Sequence, residues 1–365
     1  MRVALLVTDL ERGGTPLRLA RLARGLSARG LDVSVGCLAP PGPVSDALDR
    51  EGIRTFACGA RGQADVRALL RLAAHLRRLR PDLLHATLTH ANVAARLAGD
   101  WLRIPVLTST ATIEVERRAH LLFERLTAHL DAGHIVNSRS LARHVADSFL
   151  LSPEKIHVVP PLVAPPGPRI DWKTARRGLG VPEGAFVVAW AGRFDPVKRL
   201  EVAIEAVERL SGAPETWLLL AGDGPLRAET ERRIAKSPAA ARIRLLGWCD
   251  DLARLFSASD VLLFPSRTEG MPNTVLQAMW FGLPVVGSDI PALRELAGAD
   301  SRLMLVDGLS APFAEALERL RRDASLRGAL ARRASDWAHE ALLPDRAVGA
   351  VLGVYERVLA SARGT

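Results

Sequence analysis

PPLVAPPGPRI, residues 160–170, places five prolines within eleven residues. Proline removes a backbone donor and fixes φ, so this stretch can hold neither a helix nor an inner strand, and it is expected to be a linker. On its amino-terminal side, apolar runs alternate with amphipathic helical stretches: VALLV (3–7), DVSVGCL (32–38), LLHA (83–86), PVLTST (105–110), HIV (134–136) and HVV (157–159). Beyond the linker the alternation begins again with FVVAWAG (186–192), TWLLLAG (216–222), IRLLG (243–247), VLLFP (261–265), PVVG (284–287) and LMLV (303–306). Strands separated by helices predict parallel sheets, so the fold class is α/β with two doubly wound Rossmann-like domains. The expected boundaries are 1–165 and 170–343, with a last helix over 344–365 that returns to brace the first domain. Open parallel sheets bind ligands outside the carboxyl ends of their strands, so the two domains are expected to face one another across a ligand cleft.

The length of 365 residues agrees with two cores. No apolar stretch approaches the ~18 residues of a membrane span. The opening MRVALLVTDLERGG reads as a first strand and loop, not a secretory signal, and the expected location is the cytoplasm. Cys37, Cys58 and Cys249 are too widely spaced for a metal motif, and none is assigned a disulfide. Residues 1–165 carry 22 Lys and Arg against 15 Asp and Glu, a net +7, while the remainder carries +2. A basic first half suits an anionic partner such as phosphate or an acidic membrane surface. Nucleic acid is disfavoured, because the basic residues sit among helical apolar positions without interleaved aromatics.

Three loops carry candidate chemistry. GRFDPVKRL (192–200) follows a strand and opens a helix, bringing Arg193, Lys198 and free helix N–H groups together as an anion site. Lys198 is one of four lysines beside 45 arginines, so a lysine there is not a chance choice of cation. ERGGTP (11–16) is the matching loop of the first half: Gly13 and Gly14 let the backbone approach a ligand, Thr15 is the expected N-cap, and Pro16 begins the helix. AGDGPL (221–226) lacks the spacing of a dinucleotide fingerprint and reads as a tight turn. EGMPNTVLQAM (269–279) sets Glu269 to accept sugar hydroxyls, Gly270 for close backbone approach, and Pro272 at the start of a helix whose first N–H groups are unpaired.

This series, with LGWCDD (246–251), PSRTEGMPNTVLQAMWFGLPVVGSD (265–289) and Arg294-Glu295, resembles glycosyltransferase family four, the retaining, nucleotide-sugar-dependent enzymes of the GT-B fold. The resemblance spans nearly the whole chain and is most specific in the second half. It implies that Arg193 and Lys198 hold the donor diphosphate and that Glu269 binds the transferred sugar. Gly270, Met271, Pro272, Asn273 and Thr274 would be donor contacts alongside Gly13 and Gly14. It implies no metal and no cofactor beyond the nucleotide-sugar co-substrate. The partners would be that donor and a glycan or lipid-linked acceptor in polysaccharide or glycolipid synthesis, and contact with an anionic membrane surface is left open.

The chain departs from the family pattern in three places. The second acid of the family's Glu-x7-Glu motif, a ribose ligand, is Gln277 here, an uncharged acceptor with an added donor. The family's histidine after the PVLTST strand is replaced by Thr110, Ala111 and Thr112. His85 and His90 lie nearby as a substitute or as structural residues. Pro161-Leu162 replaces an Asn-Gly near the linker. A phosphorylase-type reaction and a degenerate GT-B protein that binds without turnover are the alternatives. RRAHLLFERLTAHL (117–130) is read as a packed internal helix in preference to a membrane-facing one.

Overall fold

In the computed structural model the apolar runs form two wholly parallel sheets. The structure describes every residue except 12, 63–64, 112–117, 211, 213–214, 250 and 364–365, and only the backbone at 118, 119 and 363. The first sheet contains β1 (Arg2–Val7), β2 (Asp32–Cys37), β3 (Arg54–Ala57), β4 (Leu83–Thr87), β5 (Val106–Thr110), β6 (Gly133–Val136) and β7 (Ile156–Val158). Its order is β3-β2-β1-β4-β5-β6-β7. The second contains β8 (Phe186–Ala191), β9 (Thr216–Ala221), β10 (Ile243–Gly247), β11 (Val261–Phe264), β12 (Val285–Ser288) and β13 (Met304–Val306). Its order is β10-β9-β8-β11-β12-β13. Strand order reverses between β1 and β4 in one sheet and between β8 and β11 in the other, the points where doubly wound sheets open toward ligands.

The chain divides into two units, Met1–Leu162 with Leu342–Thr365, and Val163–Ala341. The division therefore falls inside the proline-rich stretch. The last helix, Pro344–Arg363, belongs to the first unit: Val348, Val351, Val354, Tyr355 and Val358 share a core with Leu5, Leu19 and Leu22. Arg29 adds an ion pair to Asp345 at 3.0 Å. The second unit has its own core, built on Phe186, Val188, Trp190, Leu218 and Leu220.

Three local expectations are corrected. The first helix runs Gly14–Ser27 with Gly13 as N-cap, so Thr15 is not the cap and Pro16 is the third helical residue. Proline is tolerated there because first-turn N–H groups have no intrahelical partner. Pro272 is the N-cap of the helix Asn273–Phe281 and not its first residue. The helix Arg118–Thr127 buries Glu124 and Thr127 but leaves Leu122, Phe123 and Leu126 exposed at 55%, 53% and 60%, so it is not wholly internal. Of the stretch read as helix, Arg117 lies outside the described residues.

Candidate functional site

The second unit gathers its candidate residues at the reversal point. GRFDPVK leaves the carboxyl end of β8 and the segment holding Glu269 leaves that of β11, and these strands pair directly, Val188 beside Val261. Asp195 caps the short 3-10 turn Pro196–Lys198 by accepting from the N–H groups of Val197 at 3.1 Å and Lys198 at 3.3 Å. The Arg267 N–H donates to the Val197 carbonyl at 2.9 Å, locking one loop to the other. In consequence the Lys198 ammonium lies 2.5 Å from Glu269 Oε1. Glu269 is buried and Lys198 is about one-fifth exposed, so the pair is largely shielded from solvent. Arg193 stands exposed on the same loop.

AGDGPL is the platform beneath. The Phe194 N–H donates to Asp223 O and the Leu226 N–H to Phe194 O, at 2.9 and 3.0 Å. Gly222 has φ +138°, and a Cβ there would lie 1.8 Å from the Gly192 carbonyl oxygen. Only glycine lets these two loops stack.

After Glu269, Gly270 is buried, Met271 is partly buried, and the helix opens at Asn273 and Thr274 with no side-chain cap. Its first-turn N–H groups therefore lack a capping side chain, and the helix begins four residues after Glu269. Gln277, one turn further on, donates from Nε2 to the Ala164 carbonyl at 3.1 Å. A carboxylate has no hydrogen to give to that carbonyl, so the local structure accounts for an amide at this position.

In the first unit, Gly13 and Gly14 open the helix after β1 at the corresponding reversal point. A pocket of that unit is lined from this helix by Thr15 and Arg18, from the strand ends by His85, Thr110 and Asn137, and from the last helix by Val351. His85 is buried and its Nδ1 lies 2.7 Å from the Tyr355 hydroxyl. Burial, and then the charge of Arg18, push the His85 imidazole down to about 3. His90 packs edge-on against His120 with ring centroids 4.7 Å apart. Residue 112 lies outside the described residues. Among those described, no group of three His, Cys, Asp or Glu side chains could hold a metal ion, and no helix is long and apolar enough to cross a membrane.

Two family models match the chain, "Glycosyl transferases group 1" over residues 185–323 and "Glycosyl transferase 4-like domain" over 13–161. The chain belongs to the group 1 glycosyltransferases. It is similar to the 2-deoxystreptamine N-acetyl-D-glucosaminyltransferase of Streptomyces fradiae, at 29% identity over 80% of this chain and 79% of that one. A D-inositol 3-phosphate glycosyltransferase of Stackebrandtia nassauensis is 30% identical over 71% of this chain and 66% of its own. Among solved structures, Anabaena HepE in complex with UDP-glucose superposes with a TM-score of 0.81 at 20% identity, each chain covered in full. At that identity the likeness establishes the fold, which is GT-B.

This glycosyltransferase also holds a buried polar network that sequence reasoning missed. Arg96 donates to Asp131 at 2.8 and 2.7 Å and to Glu124 at 2.5 Å. Burial works against the Asp131 carboxylate, but hydrogen bonds from Arg96 and His134 outweigh it and hold its pKa below the ordinary value. His134 reaches Thr108 through Nδ1 at 2.7 Å and Thr110 through Nε2 at 3.1 Å. A histidine from β6 thus stands directly behind Thr110, one of the three residues found where the family resemblance implies a histidine. The available signal was Arg96 itself, set among the buried Ala91, Ala95 and Ala98 of its helix.

Proposed function

We propose that this glycosyltransferase moves a sugar, with retention of anomeric configuration, from a nucleotide-diphosphate donor to a glycan or lipid-linked acceptor in surface polysaccharide or glycolipid synthesis. The observation that carries this reading is the 2.5 Å approach of Lys198 to Glu269 at the β8–β11 reversal point. A cation suited to diphosphate and an acid suited to sugar hydroxyls lie within the span of one donor molecule, beside the free end of a helix. As the bond from the anomeric carbon to the diphosphate breaks, Lys198, Arg193 and the first-turn N–H groups stabilise the charge gathering on the leaving group, without a metal ion. Glu269 holds the sugar by its hydroxyls. The acceptor oxygen attacks from the face the diphosphate leaves, and its proton passes to a diphosphate oxygen. The UDP-glucose bound by HepE makes UDP-sugars the first donors to try. The exposed Leu122, Phe123 and Leu126 supply an apolar surface for peripheral contact with the cytoplasmic face of a membrane.

The test is hydrolysis of a panel of UDP-, GDP- and ADP-sugars by the purified protein beside Glu269→Ala and Lys198→Ala. One donor is expected to turn over, with kcat/KM falling ~10²–10³-fold in each variant, the usual scale for removing a charge-stabilising group. Turnover that survives both substitutions refutes the assignment. Silence across the panel favours a degenerate protein, one that binds a nucleotide sugar without turnover where a donor still binds and one that binds only a partner where none does.

A further inference from the structure

The pocket of the first unit has chemistry that the donor site does not use. It lies at the carboxyl ends of β4, β5 and β6, between the helices Gly14–Ser27 and Pro344–Arg363. Arg18 is partly buried in its wall and has neither an ion-pair nor a hydrogen-bond partner among the described residues. Among the described residues, no Asp or Glu lines the pocket. Burial, with Arg21 adding to it, lowers the Arg18 guanidinium to about 10, the signature of a cation short of a counter-charge. Two further polar atoms are buried and unpartnered. His85 Nε2 is one, its ring being held through Nδ1 by Tyr355. The other is Asn137 Oδ1, whose Nδ2 donates to the Ala111 carbonyl at 3.3 Å. His85 is 3% and Asn137 8% exposed. Buried polar groups are normally satisfied, and two unsatisfied ones beside a guanidinium without a counter-charge around a single pocket mark where a ligand's groups belong.

Their characters are complementary. The Tyr355 hydroxyl can donate to His85 Nδ1, which leaves Nε2–H as a donor beside the guanidinium. Asn137 Oδ1 only accepts. Leu19, Leu22 and Val351 give the remainder apolar walls that suit the C–H faces of a ring. We infer that this pocket is the acceptor subsite and takes a hydroxyl-bearing phosphate ester, with phosphate oxygens on Arg18 and His85 Nε2 and a hydroxyl donating to Asn137 Oδ1. The inference rests on the transferase reading for the word acceptor, while the phosphate chemistry stands on the pocket alone. An amine-bearing acceptor has no acid to meet here among the described residues and is disfavoured.

The probes are glucose 6-phosphate, glucose as its uncharged twin, and phosphatidylcholine vesicles with and without phosphatidylglycerol, measured by calorimetric titration and co-sedimentation. Glucose 6-phosphate is expected to bind where glucose does not. Arg18→Gln should weaken binding at least tenfold, and Thr15→Glu, which puts an acid beside Arg18, should do the same without removing a core contact. Lys198→Ala should leave this binding in place, because that lysine belongs to the other unit. Arg18-dependent retention by the phosphatidylglycerol vesicles, with only feeble binding of the soluble ester, assigns the phosphate to a lipid headgroup and sustains the inference. Equal binding of glucose and its phosphate overturns it. So does binding that Lys198→Ala abolishes and Arg18→Gln spares, which would put the phosphate in the donor site. Intact phosphate binding in a protein silent toward every donor would refute the transferase reading and leave the anion site standing.

Discussion

Gln277 shows how one residue can be conspicuous in a sequence while its cause stays hidden. Its position in the motif drew attention at once, because an amide replaces an acid, but its hydrogen-bond partner is the carbonyl of Ala164, 113 residues earlier. No local pattern announces a contact at that separation. Arg18 was hidden differently, as one of 45 arginines in a chain where a basic residue on a helix is the ordinary case. Lys198 and Glu269 were legible because their loops follow strong strand signals and their residue types are chemically specific. The account of Gln277 predicts an order of stabilities. Gln277→Ala removes one hydrogen bond and is expected to cost ~1 kcal/mol, whereas Gln277→Glu turns a carboxylate oxygen toward a carbonyl and costs ~1–3 kcal/mol. Urea unfolding followed by tryptophan fluorescence measures both. A glutamate variant as stable as the parent would mean that the bond to Ala164 does not explain the amide.

At the scale of elements, the strands were the most legible part, because strands buried on both faces appear as nearly continuous apolar runs. β3 is the exception. Arg54–Ala57 is four residues long, opens with a charge and lies at the sheet edge, so it lacks the run that betrays its neighbours. The start of the first helix was misplaced because Thr15-Pro16 is a better local start signal than Gly13-Gly14, yet the observed helix begins without any side-chain cap. AGDGPL was readable as a tight turn, but its role as the platform under GRFDPVK depends on a backbone approach that only coordinates display. Gly222→Ala is therefore expected to cost more than ~2 kcal/mol, since both the positive φ and the contact with Gly192 O must be relieved. It should also lower donor turnover by moving the loop that carries Lys198. Gly178→Ala, at a helical site with nothing within 4 Å, should be neutral or stabilising by up to ~1 kcal/mol. Thermal midpoints and donor hydrolysis of the pair decide the matter, and equal behaviour would remove the platform argument.

For the whole molecule, the informative feature is that the chain returns to its first unit after completing its second. The helix Pro344–Arg363 supplies Val348, Val351, Val354, Tyr355 and Val358 to the core that holds β1. Each such side chain contributes ~1.5–3 kcal/mol on burial, so together they approach the 5–15 kcal/mol by which a typical domain is stable. Tyr355 also satisfies His85 Nδ1, a partner that removal of the helix would take away. The second unit keeps a separate core to which this helix contributes nothing. A chain ending at Ala341 is therefore expected to lose cooperative folding of residues 1–162 and to retain that of 163–341. The aromatic residues report the two outcomes separately: six of the seven tryptophans, all but Trp101, lie in the second unit. The truncated chain should keep a tryptophan fluorescence transition close to that of the intact protein while its far-ultraviolet circular dichroism falls before heating begins. Tyr355→Phe is the milder form of the same experiment. It keeps the ring and its packing, leaves His85 Nδ1 without a partner, and should lower the stability of the first unit by ~1–3 kcal/mol with the fluorescence transition unmoved. If truncation left the dichroism intact, the last helix would be an attachment to the first core and not a part of it.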